Sequence, residues 1–118
     1  MTTGKKYDAG KDRFDLIDDW AEREFARALT WGATKYGDDN WREVSELQNR
    51  YFAALRRHIN SRRRGEVYDK ETGLHHLAHA MACLHFMLAA DIQDHGADED
   101  EYLARLRALA AAKANEGV

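Results

Sequence analysis

The sequence contains no proline and a single cysteine, Cys83, among its 118 residues. One thiol cannot form an intrachain disulfide, and it cannot supply the several thiolates of a cysteine-based zinc site. No apolar run approaches the roughly 20 residues that a membrane-spanning helix needs, and the polar N-terminus lacks the apolar segment of a signal peptide. We therefore expect a protein of the reducing cytoplasm that has no membrane partner.

A strong excess of charge of one sign is also absent. The chain has 18 Lys and Arg residues against 21 Asp and Glu residues, which gives a formal net charge of −3. This balance offers no overall attraction to nucleic acid, so we do not expect nucleic acid as a partner. What the chain does have is a composition dominated by Ala, Leu, Arg and Glu, which are good helix formers. Its length suits one domain, 1–118, that begins with an N-terminal arm at 1–14.

Apolar spacing predicts four helices and hence an all-α fold. The first helix is expected to begin near Asp15–Asp19 and to end at Gly37, with DDNW (38–41) as a turn. Its spacings of three and four residues predict a buried stripe made of Ile17, Trp20, Ala21, Ala28 and Trp31. The second helix is expected to begin at an N-cap residue, Ser45, and to end at Gly65.

The third predicted helix, at about 74–95, is apolar on nearly every side. Such a helix is either central in its own domain or covered by a partner subunit. A fourth helix is expected to start at Asp98–Glu101 and to carry Leu103, Leu106 and Leu109. Short loops between four helices are typical of an antiparallel four-helix-bundle-like architecture, and the all-round apolar third helix favours a homo-oligomer.

Three of the six histidines, His75, His76 and His79, lie in one five-residue stretch at the start of this third helix. Residues three or four apart share one face of a helix, so two of these imidazoles can meet at one point. Because buried imidazoles need partners, either a divalent metal ion or hydrogen-bonding backbone and carboxylate groups would explain them. The spacing alone favours neither explanation.

Nearby residues strengthen the metal hypothesis. His58 lies on the inner side of the second helix, and the loop before the third helix carries Glu66, Asp69 and Glu71. Imidazole and carboxylate together suit several divalent ions, and a set that includes histidine favours Mn²⁺ over Mg²⁺. The alternative is that these acids form a solvated turn and cap the third helix.

Arginines are concentrated in RRHINSRRR (56–64), where Arg57 lies beside His58. Guanidinium groups bind phosphates through paired hydrogen bonds, so this segment could hold a polyphosphate. It could equally be a solvated helix end whose arginines pair with acids.

A third group of candidates lies in WGATKYGDDNW (31–41). Lys35 shares a face with the apolar stripe and could reach a phosphate, while Tyr36 and Trp41 could stack on a base that Asn40 reads through its amide. The alternative is a helix end with aromatic core residues. In the N-terminal arm, Lys11, Arg13 and Asp15 are further candidates for phosphate or metal contacts. Glu24, within the apolar arc, is either a ligand or a member of a salt bridge.

The ordered segments GKDRFDLI, WGATKYGDDNW, RH, GEVYDKETGL and HLAHA resemble those of the phage and bacterial dATP/dGTP diphosphohydrolases, a family related to the MazG-like all-α nucleoside triphosphate pyrophosphohydrolases. The resemblance covers about residues 4–92, so the C-terminal helix, 96–118, lies outside it. It implies a MazG-like all-α fold and cleavage of a purine deoxynucleoside triphosphate, dGTP or dATP, into the monophosphate and pyrophosphate. In phages that replace adenine by 2-aminoadenine, such an enzyme is expected to supply dGMP.

The sequence departs from the MazG-like pattern at the metal site. It has no E-E-x-x-E segment, and His76-Leu-Ala-His79 stands where E-x-x-D is expected. Carried over residue by residue, the resemblance implies metal ligation of Mn²⁺ or Mg²⁺ by His58, Asp69, His76 and His79, with Glu66 or Glu71 as catalytic base. Phosphates would be held by Lys11, Arg13, Lys35 and Arg57, and the base by Tyr36, Asn40 and Trp41.

Two other functions compete with this one. A helical oligomeric binding protein with structural histidines and an arginine-rich docking patch would need no metal and would hydrolyse nothing. A metal-dependent phosphohydrolase of the HD type is disfavoured, because the sequence has no His-Asp dipeptide and Asp94-His95 has the reverse order.

Overall fold

The chain folds into four α-helices, and the computed structural model describes residues 3–96 and 98–116. The helices are α1 (Asp19–Tyr36), α2 (Leu47–Arg63), α3 (His76–His95) and α4 (Glu99–Glu116), with short 3₁₀ helices at Phe14–Leu16 and Asn40–Glu43. Within those described ranges no β-strand occurs, only one isolated bridge between Tyr68 and His75. The predicted all-α class with four helices is confirmed.

Local side chains decide where these helices begin and end. Asp18 caps α1 by accepting a hydrogen bond from the backbone N–H of Ala21 at 2.9 Å, and Gly37, at φ 97°, ends α1 as predicted. The predicted N-cap of α2 at Ser45 is wrong, because the cap position is Glu46, at φ 53° and without a side-chain capping bond. At the start of α3, the His75 ring nitrogen Nδ1 accepts from the backbone N–H of Leu77.

Helix α3 is the centre of the packed part of the fold, with α1 against one side and α2 against another. Six of the seven buried residues in the described part of the chain lie on it. The helix contact consists of small side chains, Ala28 from α1 with Ala78 and Ala82 from α3. Because alanine barely extends beyond the helix backbone, the axes can approach closely, and close approach brings the polar residues of α3 and its neighbours together.

The N-terminal half of the predicted α1 stripe is not buried. Ile17 precedes the helix and is 51% exposed, Trp20 is 63% exposed and Ala21 is exposed as well, so the prediction is wrong for these three residues. Only the part of α1 that faces α3, around Ala28, enters the core. Glu24 forms a salt bridge with Arg27 at 2.6 Å, which agrees with the second of its two interpretations.

The fourth helix forms as predicted but buries no residue. A hydrogen bond from the Tyr102 hydroxyl to Asp12, at 3.3 Å, joins it to the N-terminal arm. The radius of gyration is 18.9 Å, against about 13 Å for a compact chain of this length. The packed body therefore consists of α1, α2 and α3, with α4 extending from it. None of the helices in the described ranges is both long and apolar enough to span a membrane.

Candidate functional site

The loop between α2 and α3 places carboxylates directly against the histidines of the two helices. Three side chains, His58 of α2, Asp69 of the loop and His76 of α3, each direct one ligand-type atom to a common point, and these atoms lie within 4.8 Å of one another. All three side chains are at least partly buried. We call this group the imidazole–carboxylate cluster.

Asp69 is held by the backbone of its own loop. Its Oδ1 accepts hydrogen bonds from the backbone N–H groups of Glu71 and Thr72, both at 2.9 Å. The second oxygen, Oδ2, faces the histidines, 3.9 Å from His58 Nδ1 and 4.0 Å from His76 Nδ1. Burial alone would raise the Asp69 pKa, but the two backbone hydrogen bonds outweigh it and the net shift is downward. The carboxylate is thus charged, fixed and open on the side of the cluster.

Glu66 fixes the orientation of the buried His76 ring. Its Oε1 lies 2.7 Å from His76 Nε2, and because a carboxylate only accepts, Nε2 must carry the hydrogen. With the hydrogen on Nε2, it is Nδ1 that faces the cluster. The hydrogen bond to His76 also lowers the pKa of Glu66. A carboxylate behind a metal-binding histidine commonly has this role.

His58 completes the cluster from the α2 side. Its Nδ1 lies 2.9 Å from His76 Nδ1, and two nitrogens at this distance need either a hydrogen or a cation between them. Burial, followed by the neighbouring imidazoles of His79 and His76, lowers the pKa of His58 to about 4. His58 is therefore neutral at physiological pH, which is the form that ligates metal ions.

His79 lies beside the cluster rather than in it. His79 is not among the three residues whose ligand atoms lie within 4.8 Å of one another, and its Nε2 lies 2.7 Å from the Thr72 hydroxyl. Its ring stacks on His58 with centroids 4.6 Å apart and planes at 14°, and burial lowers its pKa. Of the four ligands implied by the resemblance, three lie in the imidazole–carboxylate cluster and His79 packs against one of them, His58; metal ligation by all four stays a prediction.

The donor set of the cluster fits a divalent transition ion. Two imidazole nitrogens and one carboxylate oxygen suit Mn²⁺, Fe²⁺ or Zn²⁺ better than Mg²⁺, which prefers oxygen. Asp69 and His76 are each held by a second polar atom, Oδ1 on the loop backbone and Nε2 on Glu66, whereas His58 is held by stacking on His79; such outer contacts commonly orient metal ligands.

A cleft of about 650 Å³ opens next to the cluster, between α1, α2, α3 and the turn after α1. One end of the cleft is polar and includes His58, His79 and Glu71, while the other is aromatic and includes Trp41 and Phe86. His79 and Phe86 are seven residues apart on α3, so these ends are separated by about 10 Å along the helix axis. A ligand with a charged end and a flat apolar end would fit this layout.

The cleft collects five of the predicted substrate-binding residues: Lys35, Tyr36, Asn40, Trp41 and Arg57. Lys35 spans the opening, since its Nζ bonds Glu71 Oε1 at 3.1 Å. The hydrogen bonds that Lys35 makes to Tyr36 and to Glu71 raise its pKa. Two cationic side chains therefore stand at the polar end of the cleft, and of the two predicted catalytic acids it is Glu71, not Glu66, that lines it.

Trp41 is more enclosed than a free stacking platform. Its ring stacks on Phe86 with centroids 5.0 Å apart, and the guanidinium of Arg42 lies 4.4 Å from the ring centre. The Tyr51 ring also packs against the Phe86 ring, with centroids 4.9 Å apart. Trp41 thus forms part of an aromatic wall, which agrees with the alternative that treated it as a packing residue, and the wall still faces the cleft.

Lys11 and Arg13 do not line this cleft. They border a separate, shallow depression formed by residues 8–15 of the N-terminal arm. Arg13 is engaged by Asp15, with Nη2 and Oδ2 2.7 Å apart. Lys11 and Arg13 therefore lie apart from the cleft that holds the other predicted substrate-binding residues, and their phosphate-binding role stays a prediction.

Sequence reasoning missed Thr72, Tyr51 and Phe86. Thr72 contacts both Asp69 and His79, but a threonine in a short loop carries no signal of that role. Tyr51 and Phe86 both line the cleft, but periodicity shows only that such residues lie on apolar helix faces and not that two such faces border an open cleft.

Comparisons with known proteins agree with the sequence resemblance. A family model described as dATP/dGTP diphosphohydrolase, N-terminal, matches residues 1–100. A protein of Salmonella phage PMBT28 named dATP/dGTP diphosphohydrolase is 41% identical over 85 residues, which cover 72% of this chain and 29% of that relative. The chain thus matches less than a third of the relative's length. No solved structure matches it.

Proposed function

The chain belongs to the dATP/dGTP diphosphohydrolase family, and from this premise we propose that its cleft hydrolyses a purine deoxynucleoside triphosphate to the monophosphate and pyrophosphate. The relative is named for dATP and dGTP. The observation that carries the proposal is that the imidazole–carboxylate cluster borders, through His58, a cleft that also holds cationic and aromatic side chains.

The proposed reaction depends on a divalent ion, Mn²⁺ or Mg²⁺, with Mn²⁺ favoured by the two imidazole donors. His58, Asp69 and His76 would hold it. When bound, such an ion polarises a phosphate oxygen and lowers the pKa of a coordinated water. Glu66 supports this arrangement by holding the His76 ring, so we assign it a positioning role rather than that of the catalytic base.

The protein's own groups account for binding and proton transfer. Lys35 and Arg57 neutralise and orient the phosphates, which places the bridge between the α and β phosphates near the cluster. Water forms a new P–O bond to the α phosphorus while the bond from that phosphorus to the leaving pyrophosphate breaks. The proton of the water goes to a nearby carboxylate. Glu71 is our candidate for that base, since it lines the cleft. A triphosphate that draws Lys35 away would free the Glu71 oxygen that Lys35 now binds.

We also infer that the active form is a homo-oligomer. Leu77, Met81, Leu84 and Leu88 form a stripe along the side of α3 away from the core, and these residues are 40% to 62% exposed. A stripe at alternating spacings of four and three residues is typical of a helix that packs against another helix. Light scattering after size-exclusion chromatography tests this, and a monomer at micromolar concentration would contradict it.

In the cell, the reaction would take place in the cytoplasm, where deoxynucleotides are made and used. In a phage that replaces adenine by 2-aminoadenine, it would supply dGMP while it lowers dGTP or dATP. Deoxynucleotide pools measured with and without expression of the protein test this role. Unchanged dGMP, dGTP and dATP would contradict it.

A product assay tests the catalytic proposal. Each dNTP and NTP is incubated with Mn²⁺, with Mg²⁺ and with EDTA, and nucleotides and pyrophosphate are separated and quantified. We expect monophosphate and pyrophosphate in equal amounts from dGTP or dATP, and none in EDTA. His76→Ala should lose this turnover, whereas His95→Ala, which removes an exposed imidazole at the far end of α3, should keep it. No turnover of any triphosphate would favour the non-catalytic binding protein instead.

A further inference from the structure

The end of α2 carries a run of positive charge that the rest of the described chain does not neutralise. Helix α2 contains several arginines and no acidic residue, and Arg64 follows it. Arg63 and Arg64 are exposed, and within residues 3–96 and 98–116 neither forms an ion pair. We call these two residues the arginine pair. Guanidinium groups bind carboxylates through paired hydrogen bonds, so this end of α2 suits an acidic partner.

A run of opposite charge, DEDE, follows the end of α3. Its outer members act within α4, since Asp98 accepts from the backbone N–H of Glu101 at 3.0 Å and Glu101 forms an ion pair with Arg105. Its inner members, Glu99 and Asp100, are exposed and have no ionic partner among the residues that the structure describes. We call these two residues the acidic pair.

The arginine pair and the acidic pair lie at opposite ends of α3 in one chain. Helices α2 and α3 run antiparallel, because Gln48 at the start of α2 bonds the Met87 carbonyl at 3.0 Å, whereas His58 near its end meets His76 at the start of α3. The arginine pair is therefore beside the start of α3, and the acidic pair follows its end. With 20 residues, α3 is about 30 Å long. Even an α4 that folded back along α3 would keep its acidic start at the far end.

The exposed stripe of α3, formed by Leu77, Met81, Leu84 and Leu88, can pack on the same stripe of a second copy in two orientations. A two-fold symmetric contact between two such helices is either parallel or antiparallel. A parallel contact would place the two arginine pairs at one end and the two acidic pairs at the other. An antiparallel contact would bring the arginine pair of each copy to the end where α4 of the other copy begins. Since charge complementarity sets the orientation of an interface, it favours the antiparallel contact.

We propose that two copies of the chain pack antiparallel through the exposed stripe of α3, and that the arginine pair of each copy binds the acidic pair of the other. The inference rests on the proposed function only through the homo-oligomer inferred there, whose contact surface and orientation it specifies. None of the stripe residues lines the cleft, so this contact leaves the cleft open. It also gives a docking place to α4, which buries no residue in a single chain.

The test uses two charge-reversed variants and their mixture, with the dimer Kd measured by sedimentation. Arg63→Glu with Arg64→Glu, and Glu99→Lys with Asp100→Lys, should each raise the Kd at least about 10-fold, because both contacts of the symmetric dimer then bring like charges together. An equal mixture of the two variants should form a heterodimer with a Kd near that of the wild type. In that heterodimer both contacts join opposite charges again.

Two controls separate this effect from changes in folding or in net charge. Lys5→Glu with Lys6→Glu makes the same reversal in the N-terminal arm and should leave the dimer Kd unchanged. Circular dichroism verifies the helical content of each variant. If a reversal unfolds the chain, Arg63→Gln with Arg64→Gln takes its place and should raise the Kd by a smaller factor.

Two results would overturn this inference while the homo-oligomer stands: charge-reversed variants that dimerise as the wild type does, or a mixture that associates no better than its components. An unchanged dimer Kd together with binding of a fluorescent oligonucleotide that Arg63→Glu with Arg64→Glu loses would assign the arginine pair to nucleic acid instead. A wild type that is monomeric at micromolar concentration would overturn both the homo-oligomer and this inference. The catalytic proposal is decided separately, by turnover in the product assay.

Discussion

Replacing Asp69 by asparagine removes one oxygen from the imidazole–carboxylate cluster while it keeps the loop that presents the cluster. The asparagine oxygen can still accept from the backbone N–H groups of Glu71 and Thr72, which now bond Asp69 Oδ1 at 2.9 Å. The side-chain NH₂ group then occupies the position of Oδ2 and faces the two histidines. Because an NH₂ group carries no ligand lone pair, Asp69→Asn should abolish metal binding without unfolding the protein.

The expected size of the effect follows from linkage. A ligand at one hundred times its Kd stabilises the folded state by about 2.7 kcal/mol. For 118 residues, the entropy of unfolding is about 0.25 kcal/mol/K, so this stabilisation corresponds to a rise of roughly 10 °C in Tm. Each further tenfold in Mn²⁺ adds about 1.4 kcal/mol, or about 5 °C.

The assay is a thermal melt at fixed protein concentration over a series of Mn²⁺ concentrations, with EDTA as reference. The wild type should show the logarithmic rise in Tm, and Asp69→Asn should show none, with a Tm in EDTA close to that of the wild type. Asp94→Asn, the same charge change near the end of α3, should behave as the wild type does. A full Mn²⁺ response in Asp69→Asn, or none in the wild type, would refute the assignment of the cluster as a metal site.

Three further predictions concern the same fold. Glu66→Ala should weaken Mn²⁺ binding by about 10-fold to 100-fold, and Glu66→Gln, which keeps an acceptor for His76 Nε2–H, should weaken it less; equal losses in calorimetric titrations would contradict the positioning role. In EDTA, the lowered pKa of His58, about 4 against 6.5, means that the unfolded chain binds more protons between these values. The free energy of unfolding should then be highest above about pH 6.5 and should fall by up to about 3 kcal/mol as the pH is lowered toward 4. Urea titrations at a series of pH values measure this fall, and a free energy of unfolding that does not change with pH would refute the prediction. Ala78→Leu should cost about 1–3 kcal/mol by overpacking the contact between α1 and α3, whereas Ala108→Leu on the exposed face of α4 should not.

The residue types of much of the candidate site could be predicted from the sequence, because whether a side chain can act as a ligand depends on that residue alone. The predicted ligands were His58, Asp69, His76 and His79, and the structure brings the ligand atoms of the first three together. Glu66 was predicted as a base and is found behind His76 instead. Sequence spacing cannot distinguish a carboxylate that faces the ion from one that holds a ligand in place, since both lie within the same few residues.

The division between His76 and His79 shows the same limit. Both lie on one face of α3, three residues apart, and the helical period treats them alike. The structure separates them through partners on the loop, since His76 meets Glu66 and His79 meets the Thr72 hydroxyl. Those contacts depend on the path of the loop from α2 to α3, which no periodicity encodes.

The sequence by itself determined the four helices, most of their ends and the residues that can act as ligands. It could do so because helix propensity and capping depend on a few neighbouring residues, and the type of donor atom depends on one residue. What only the tertiary structure decided is which faces are covered and which donors share a point. Ile17 and Trp20 match a buried stripe and are exposed, because burial requires an opposing surface. Likewise α4 is a regular helix that buries nothing, because an apolar face becomes core only where another element packs against it.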